Sequence, residues 1–237
     1  MLNLTVSMVS FRSPLTLAAT LASYVEHGLL EVAAERRIVL QEPVPDQVTW
    51  ATHFGFKAVV VDGNIGVGRS CGELISRCTT EYILFLEEDW LLVEPRAVVE
   101  SQLASGIQLL QAEPRGVVRY RHRWDYGEPL YSLQFRGREQ EHLTHLGECI
   151  HWREHPDRDF PDLITKLRVG EHDFYRLSSR NSCYTNNPVL YRTDFASEIL
   201  LPFCFDDLEK PIQPWWEQQD FAVFSAPGLF RHSRVDR

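Results

Sequence analysis

The run Tyr82-Ile83-Leu84-Phe85-Leu86 passes without a break into Glu87-Glu88-Asp89. Five apolar residues in succession suit a strand buried on both faces, whereas three successive carboxylates cannot be packed away without partners. A buried strand must therefore end abruptly here, where acids meet water or a ligand. If the backbone turns, at least two of the carboxylates converge and repel. A hard divalent cation such as Mg2+ or Mn2+ would relieve that repulsion through oxygen ligands and could also hold a diphosphate. An acidic loop facing water satisfies the same pattern, and the motif alone leaves both readings open. Trp90 and Leu91-Leu92 follow at once and offer an apolar floor.

The residues before and just after this run alternate strand and helix patterns. Leu4 to Val9 suits a buried strand. Ser13-Pro14 marks a helix start, and Leu15, Ala18, Ala19, Ala22 and Val25 recur at helical spacing over residues 14 to 30. Arg37 to Leu40 and Ala58 to Val61 read as further strands. A helix after Asn64-Ile65-Gly66-Val67-Gly68-Arg69-Ser70 turns Leu74, Ile75 and Cys78 inward. Another follows Glu94-Pro95, with Ala97, Val98, Leu103, Ile107 and Leu110 on one face, and Gly116 to Tyr120 supplies a strand. The pattern predicts an α/β fold, a Rossmann-like, mostly parallel central sheet flanked by helices. Beyond Arg121 the alternation weakens. Strands are expected at Leu130 to Phe135 and Val189 to Arg192, with a helix from Thr193 or Asp194 through Ile199 and a short one over Trp215 to Phe224. No Gly/Ser-rich linker separates the halves, so residues 1–237 are expected to form one domain, regular over 1–121 and less regular over 122–237.

Composition removes several function classes. The chain has 237 residues with 24 Lys plus Arg against 33 Asp plus Glu, and a net charge of −9 disfavours a nucleic-acid partner. The five cysteines, Cys71, Cys78, Cys149, Cys183 and Cys204, include no CxxC pair and suit reduced thiols in a cytoplasmic protein. No segment has the 18 or more apolar residues of a membrane span, so any membrane contact is expected to be peripheral. His142, His145, Cys149, His151, His155 and His172 lack zinc-site spacing, and no G-x-S-x-G elbow accompanies the serines. Asn64-x-Gly66-x-Gly68 matches neither a Walker loop nor GxGxxG. Its glycines permit close approach of a ligand or tight backbone packing, and Arg69 is a candidate phosphate contact. In Trp215-Trp216-Glu217-Gln218-Gln219-Asp220, indole faces beside carboxylates suit a sugar site, and equally a helix with its aromatics in the core.

Taken in order, VSMVSFRSP, the NxGxG-type segment, TTEYILFLEED and the distal acidic and histidine segments resemble a GT-A glycosyltransferase of family 2. The resemblance implies a metal-dependent glycosyltransferase, inverting, that moves a sugar from a nucleoside-diphosphate sugar, UDP- or GDP-linked, to a hydroxyl of a glycan or other acceptor. Glu87 and Asp89 would hold Mn2+ or Mg2+ at the positions of the DxD motif, with glutamate replacing the first aspartate, and His232 would complete the set. Ser10, Phe11, Arg12, Glu42 and Asp62 would lie near the base or ribose. Asn64, Arg69, Glu88 and Asn187 would line the donor site. Glu42 stands in Gln41-Glu42-Pro43, where the family carries an Asp-Asp-Gly-Ser type segment. Glu217 and Asp220 are the implied candidates for the base that takes the acceptor proton, with Asp206 and Asp207 behind them. The competing readings are a sugar-nucleotide nucleotidyltransferase, whose glycine-rich loop is missing between residues 9 and 15, and a noncatalytic carbohydrate-binding protein on the same fold.

Overall fold

Among the residues described by the computed structural model, 1–236, ten strands join in one sheet. The first half runs β1 (Leu2–Phe11), α1 (Pro14–Glu26), α2 (Leu29–Val32), β2 (Ala33–Gln41), α3 (Pro45–His53), β3 (Lys57–Val61), α4 (Gly66–Arg77), β4 (Tyr82–Glu87), β5 (Trp90–Leu92), α5 (Arg96–Ala112) and β6 (Val117–Arg121). The second contains α6 (Pro156–Asp159), β7 (Thr165–Val169), β8 (His172–Ser178), β9 (Val189–Arg192), α7 (Thr193–Leu200), α8 (Glu209–Trp216) and β10 (Ala222–His232). The strands lie in the order β3-β2-β1-β4-β9-β6-β10-β8-β7, with β5 paired to β10. Pairings from β3 to β4 are parallel, and β9, β8 and β7 join antiparallel.

Alternation along the strands feeds two cores. Met8, Leu84 and Leu86 pack on one face of the sheet, and Val9, Ile83 and Phe85 on the other. Both faces are covered, which is why these strands read as unbroken apolar runs. A smaller cluster of Leu146, Cys149, Ile150, Ile164, Tyr175 and Leu177 anchors the irregular segment after β6.

Two local expectations are corrected. Tyr131–Phe135 is a 3-10 turn rather than a strand, closed by Leu133 N–H to the Leu130 carbonyl and Arg136 N–H to that of Leu133. The apolar residues there lie three apart, the 3-10 period. The helix expected over Trp215 to Phe224 begins earlier, at Glu209, and ends at Trp216. From Ala222 the chain is strand, because Val223 packs into one core and Phe224 into the other.

β10 does most to assemble the site. It runs parallel to β6, bends, and then pairs antiparallel with β5, setting His232 opposite Trp90. Gly228 makes the bend possible. Its φ of 106° favours glycine, and a Cβ there would lie 2.2 Å from His122 Cα. The chain then crosses to the start of α1, where the Asp236 carboxylate accepts the Leu15 and Thr16 N–H groups, each at 3.0 Å. α1 has no acid in its own first turn, so its cap comes from 220 residues away.

Candidate active site

At the carboxyl end of β4 the chain turns from Glu87 through Glu88 and Asp89 into β5, and the three acids separate. Glu87 and Asp89 line a cavity of about 1000 Å3. Glu88 turns back toward β1, accepting the Phe11 N–H at 3.3 Å, while its own N–H bonds the Val9 carbonyl at 3.1 Å. Burial, then the neighbouring Asp89, Glu88 and Glu209, push the Glu87 carboxyl well above the usual carboxylate range. Burial and Asp89 raise Glu88 to about 7. Both shifts disfavour the charged carboxylates, a penalty that a bound cation would offset.

Asp89 Oδ2 stands 3.2 Å from His232 Nε2, and Asp89 Oδ1 is buried with no hydrogen-bond partner. The imidazole is fixed from behind: Nδ1 meets the Glu128 carbonyl, and the ring packs edge-on to Trp90 with centroids 5.1 Å apart. The hydrogen bond that the imidazole gives to Asp89 raises the His232 pKa. Among the described residues no three His, Cys, Asp or Glu side chains form a metal-ligand group. The Asp89–His232 pair nevertheless offers one carboxylate and one imidazole at the cavity wall, with a free carboxylate oxygen between wall and cavity. That donor chemistry suits Mn2+, and the two residues are adjacent only because β10 pairs with β5.

Two arginines line the cavity. Arg121 gives its Nε to the Tyr126 carbonyl and Nη2 to those of Gly127 and Pro129, and lies over the Trp90 ring. It is spent on holding the 126–129 loop. Arg234 donates to Ser13 Oγ at 3.1 Å, is exposed, and faces Glu87 and Glu88 closely enough to oppose the rise in both. Asn187 lines the cavity, its Oδ1 3.5 Å from Arg121 Nη1.

Neither a protein-family model nor a curated protein matches the sequence. Solved structures do match the fold. TarS of S. aureus (residues 1–349) superposes with a TM-score of 0.60 at 12% identity, over 98% of this chain and 60% of its own. GalNAc-T7 with UDP, GalNAc and Mn2+ gives 0.55 at 12%, over 98% of this chain and 44% of its own. The fold is GT-A-like. A nucleotidyl transferase from Methanothermobacter thermautotroptrophicus shares it at a TM-score of 0.51 and 10% identity, over 98% of this chain and 88% of its own. This chain therefore spans 60% and 44% of the first two neighbours' lengths, less than two thirds of each.

Within the GT-A-like frame, the remaining candidates fall at the strand ends or outside the cavity. Ser10, Arg12 and Glu42 sit at the carboxyl ends of β1 and β2, the edge where open α/β sheets bind ligands. Arg12 and Glu42 both hold left-handed backbone conformations, φ 50° and 47°, and form an ion pair with each other. Such strain persists where surrounding structure enforces it. Ser10 is buried, 3.4 Å from Gln47 Nε2. Asp62 is exposed in the turn after β3, and Asn64 Oδ1 accepts the Gly66 N–H at 2.8 Å.

The glycine segment packs backbone on backbone. A Cβ on Gly66 would lie 2.0 Å from the Asp206 carbonyl oxygen and one on Gly68 2.1 Å from that of Phe205. Arg69 is turned away from the cavity and pairs with Asp206 at 3.0 Å, so the phosphate contact expected of it is corrected to a loop contact.

Glu217 and Asp220 do not line the cavity, which corrects their expected place at the acceptor hydroxyl. Glu217 accepts from Gln213 Nε2 at 2.6 Å, and Gln213 Oε1 in turn accepts the Tyr184 N–H at 2.9 Å. Asp220 accepts from Ser178 Oγ at 2.6 Å and borders a separate depression with Glu113 and Arg176. Two glutamates absent from the sequence reading line the cavity in their stead. Glu209 opens α8, exposed, with Oε1 accepting the Asn186 N–H at 2.9 Å. Glu148 is buried against Arg119 Nη1 at 3.1 Å, with Ser132 Oγ 3.4 Å away. A signal for Glu209 was present: it follows Asp206-Asp207 at the first turn of a helix. Glu148 left none, for its partner Arg119 lies in another element.

Proposed function

We propose that this chain is a metal-dependent glycosyltransferase, similar to family 2, that transfers a sugar from a nucleoside-diphosphate sugar to an acceptor hydroxyl with inversion. The observation that carries the reading is the Asp89–His232 pair with its unpartnered carboxylate oxygen, at the end of β4 in a GT-A-like cavity. Asp89 and His232, with Glu87 beside them, would hold Mn2+ or Mg2+. When bound, that ion supplies positive charge against the leaving diphosphate.

The chain's own residues do the rest. Arg234, free on its cavity side, would bind the diphosphate. Ser10, Arg12, Glu42 and Asp62 would meet the base and ribose along the strand ends, with Glu88, Asn64 and Asn187 near them. Inversion requires a base opposite the leaving group, and Glu209 takes that role: its carboxylate faces the cavity while the Asn186 amide fixes its orientation. Residues 1–121 would serve the donor and 122–237 the acceptor. Among the described residues no helix is long and apolar enough to cross a membrane. We place the protein in the cytoplasm, with at most peripheral membrane contact. The nucleotidyltransferase alternative is less well supported, because only Arg12 and Ser13 separate β1 from α1, leaving no room for a phosphate-cradling loop.

The test is a thermal-shift and donor-hydrolysis panel of UDP-, GDP-, CMP- and dTDP-sugars with and without Mn2+. One donor should stabilise the protein only with metal, and Asp89→Ala should abolish that dependence. Stabilisation by none, or a response unchanged in D89A, overturns the donor site. Metal-dependent binding without turnover would favour a carbohydrate-binding protein.

A further inference from the structure

The cavity's second wall carries chemistry beyond donor binding. It is built by residues 130–145, where Tyr131 stands at the mouth 80% exposed and Phe135 stacks on His145 with ring centroids 4.3 Å apart. Gln134 is exposed beside them. Across the gap Thr185 Oγ1 is buried without a hydrogen-bond partner. Flat apolar faces beside neutral donors and acceptors complement a pyranose, whose C–H face and hydroxyl edge alternate in the same way.

The charges on this wall are as informative as its rings. Burial lowers the His145 pKa, so its imidazole is neutral at pH 7. Arg121 has given its Nε and Nη2 to backbone carbonyls, and Arg234 stands on the donor side against Ser13. Glu148 is paired with Arg119, and Glu209, at the cavity wall, accepts the Asn186 N–H. On this wall, away from Arg234, an acceptor carrying a carboxylate or phosphate would meet the Glu209 carboxyl and, among the described residues, no free cation to pair with.

We infer that the acceptor is an uncharged carbohydrate, laid against Tyr131 and Phe135 with its hydroxyls toward Gln134, Thr185 and Glu209. The inference rests on the glycosyl-transfer reading above and names its second substrate. No group transfer beyond that reaction is invoked.

The experiment has two arms on the full chain. The donor arm is the Mn2+-dependent nucleotide-sugar panel, and its failure removes the glycosyl-transfer reading itself. The acceptor arm uses the productive donor with matched pairs: methyl glucoside against methyl glucuronide, methyl galactoside against methyl galacturonide, and the corresponding disaccharides. Binding is read by saturation-transfer NMR and turnover by release of nucleoside diphosphate. The neutral member of a pair that is used should be favoured by about tenfold or more. Tyr131→Ala, at an exposed position, should raise the neutral acceptor's KM by about fivefold and leave the donor's KM unchanged. Gln134→Lys should narrow the preference by admitting the anion. With the donor arm positive, an anionic acceptor used as well as its neutral counterpart overturns the inference. So does binding by neither member of any pair, or a neutral-acceptor KM unmoved in Tyr131→Ala.

Discussion

The two halves of this molecule share the apolar layers of one sheet and differ in what is added to them. Residues 1–121 stack parallel strands whose side chains feed an apolar layer on each face, and local periodicity is enough to specify them. Residues 122–236 add Phe195, Ile212, Trp216 and Val223 to those layers and, besides, wrap around a polar node centred on Arg119 of β6. Arg119 joins Glu148 from one irregular segment to Ser182 and the Cys183 carbonyl from another, and Ser132 lies against the same carboxylate. A half built on burial tolerates substitution that keeps volume. A segment pinned by paired charge, as around Glu148, fails when one partner is lost.

Four measurements would break or sharpen this contrast. The largest effect should come from the acid proposed as the base: Glu209→Gln should lower kcat by about 10²- to 10⁴-fold while metal-dependent donor binding by thermal shift is unchanged. Loss of donor binding as well would mean that the halves do not divide the work. Next, Arg119→Met should destabilise the protein by about 3–5 kcal/mol in urea unfolding, because it strands a buried carboxylate, and adding Glu148→Gln should recover part of that loss. A cost below about 1 kcal/mol would show that the node is not what holds the second half.

Acid should find the halves at different pH. Burial holds His151 down to about 4 from an ordinary 6.5, so between these values the unfolded chain binds the extra proton. Its contribution is full above pH 6.5 and is lost as pH falls to 4, about 3 kcal/mol in all. Glu35 in the first half is opposite in origin. Burial would raise it, but hydrogen bonds from Arg37, Lys57, Thr5 and the Thr79 amide outweigh that and bring it to about 2 from 4.5. Its contribution is full above pH 4.5 and is lost toward pH 2. Hydrogen exchange read by segment should show residues 143–151 losing protection before β2, and simultaneous loss would mean that the shared sheet unfolds as one unit.

The smallest effect tests the contact between the halves. Alanine at 68 suits a helix better than glycine by about 1 kcal/mol, yet its Cβ would strike the Phe205 carbonyl and move the segment leading to Glu209. Gly68→Ala should lower kcat by about 10- to 100-fold with the donor KM unchanged. Gly63→Ala, with open space around it, should do neither.

Much of the first half was legible because its signals are short in sequence. Tyr82–Leu86 announces a strand buried on both faces, and Ser13-Pro14 a helix start. The acids after Leu86 were visible too, but their division was not read from them: the turn between β4 and β5 leaves Glu87 and Asp89 at the cavity, while contacts with Val9 and Phe11 of β1 hold Glu88 away from it. The second half misled where a local pattern had two solutions. Leu130 and Leu133 suit a turn as well as a strand, and Trp215-Trp216 drew attention to Glu217 and Asp220, which lie outside the cavity.

Chain order alone thus specified an α/β frame and the acidic end of its central strand, since both follow from neighbouring residues and the periods of strand and helix. The contact of His232 with Asp89, the arrival of Glu209 at the cavity and the conversion of a glycine segment into a seat for Phe205 and Asp206 were decided by tertiary structure. Each joins residues more than a hundred positions apart. Such contacts exist only because β10 bends at Gly228 and pairs with β5, and because α4 lets the 205–206 backbone lie directly on its glycines.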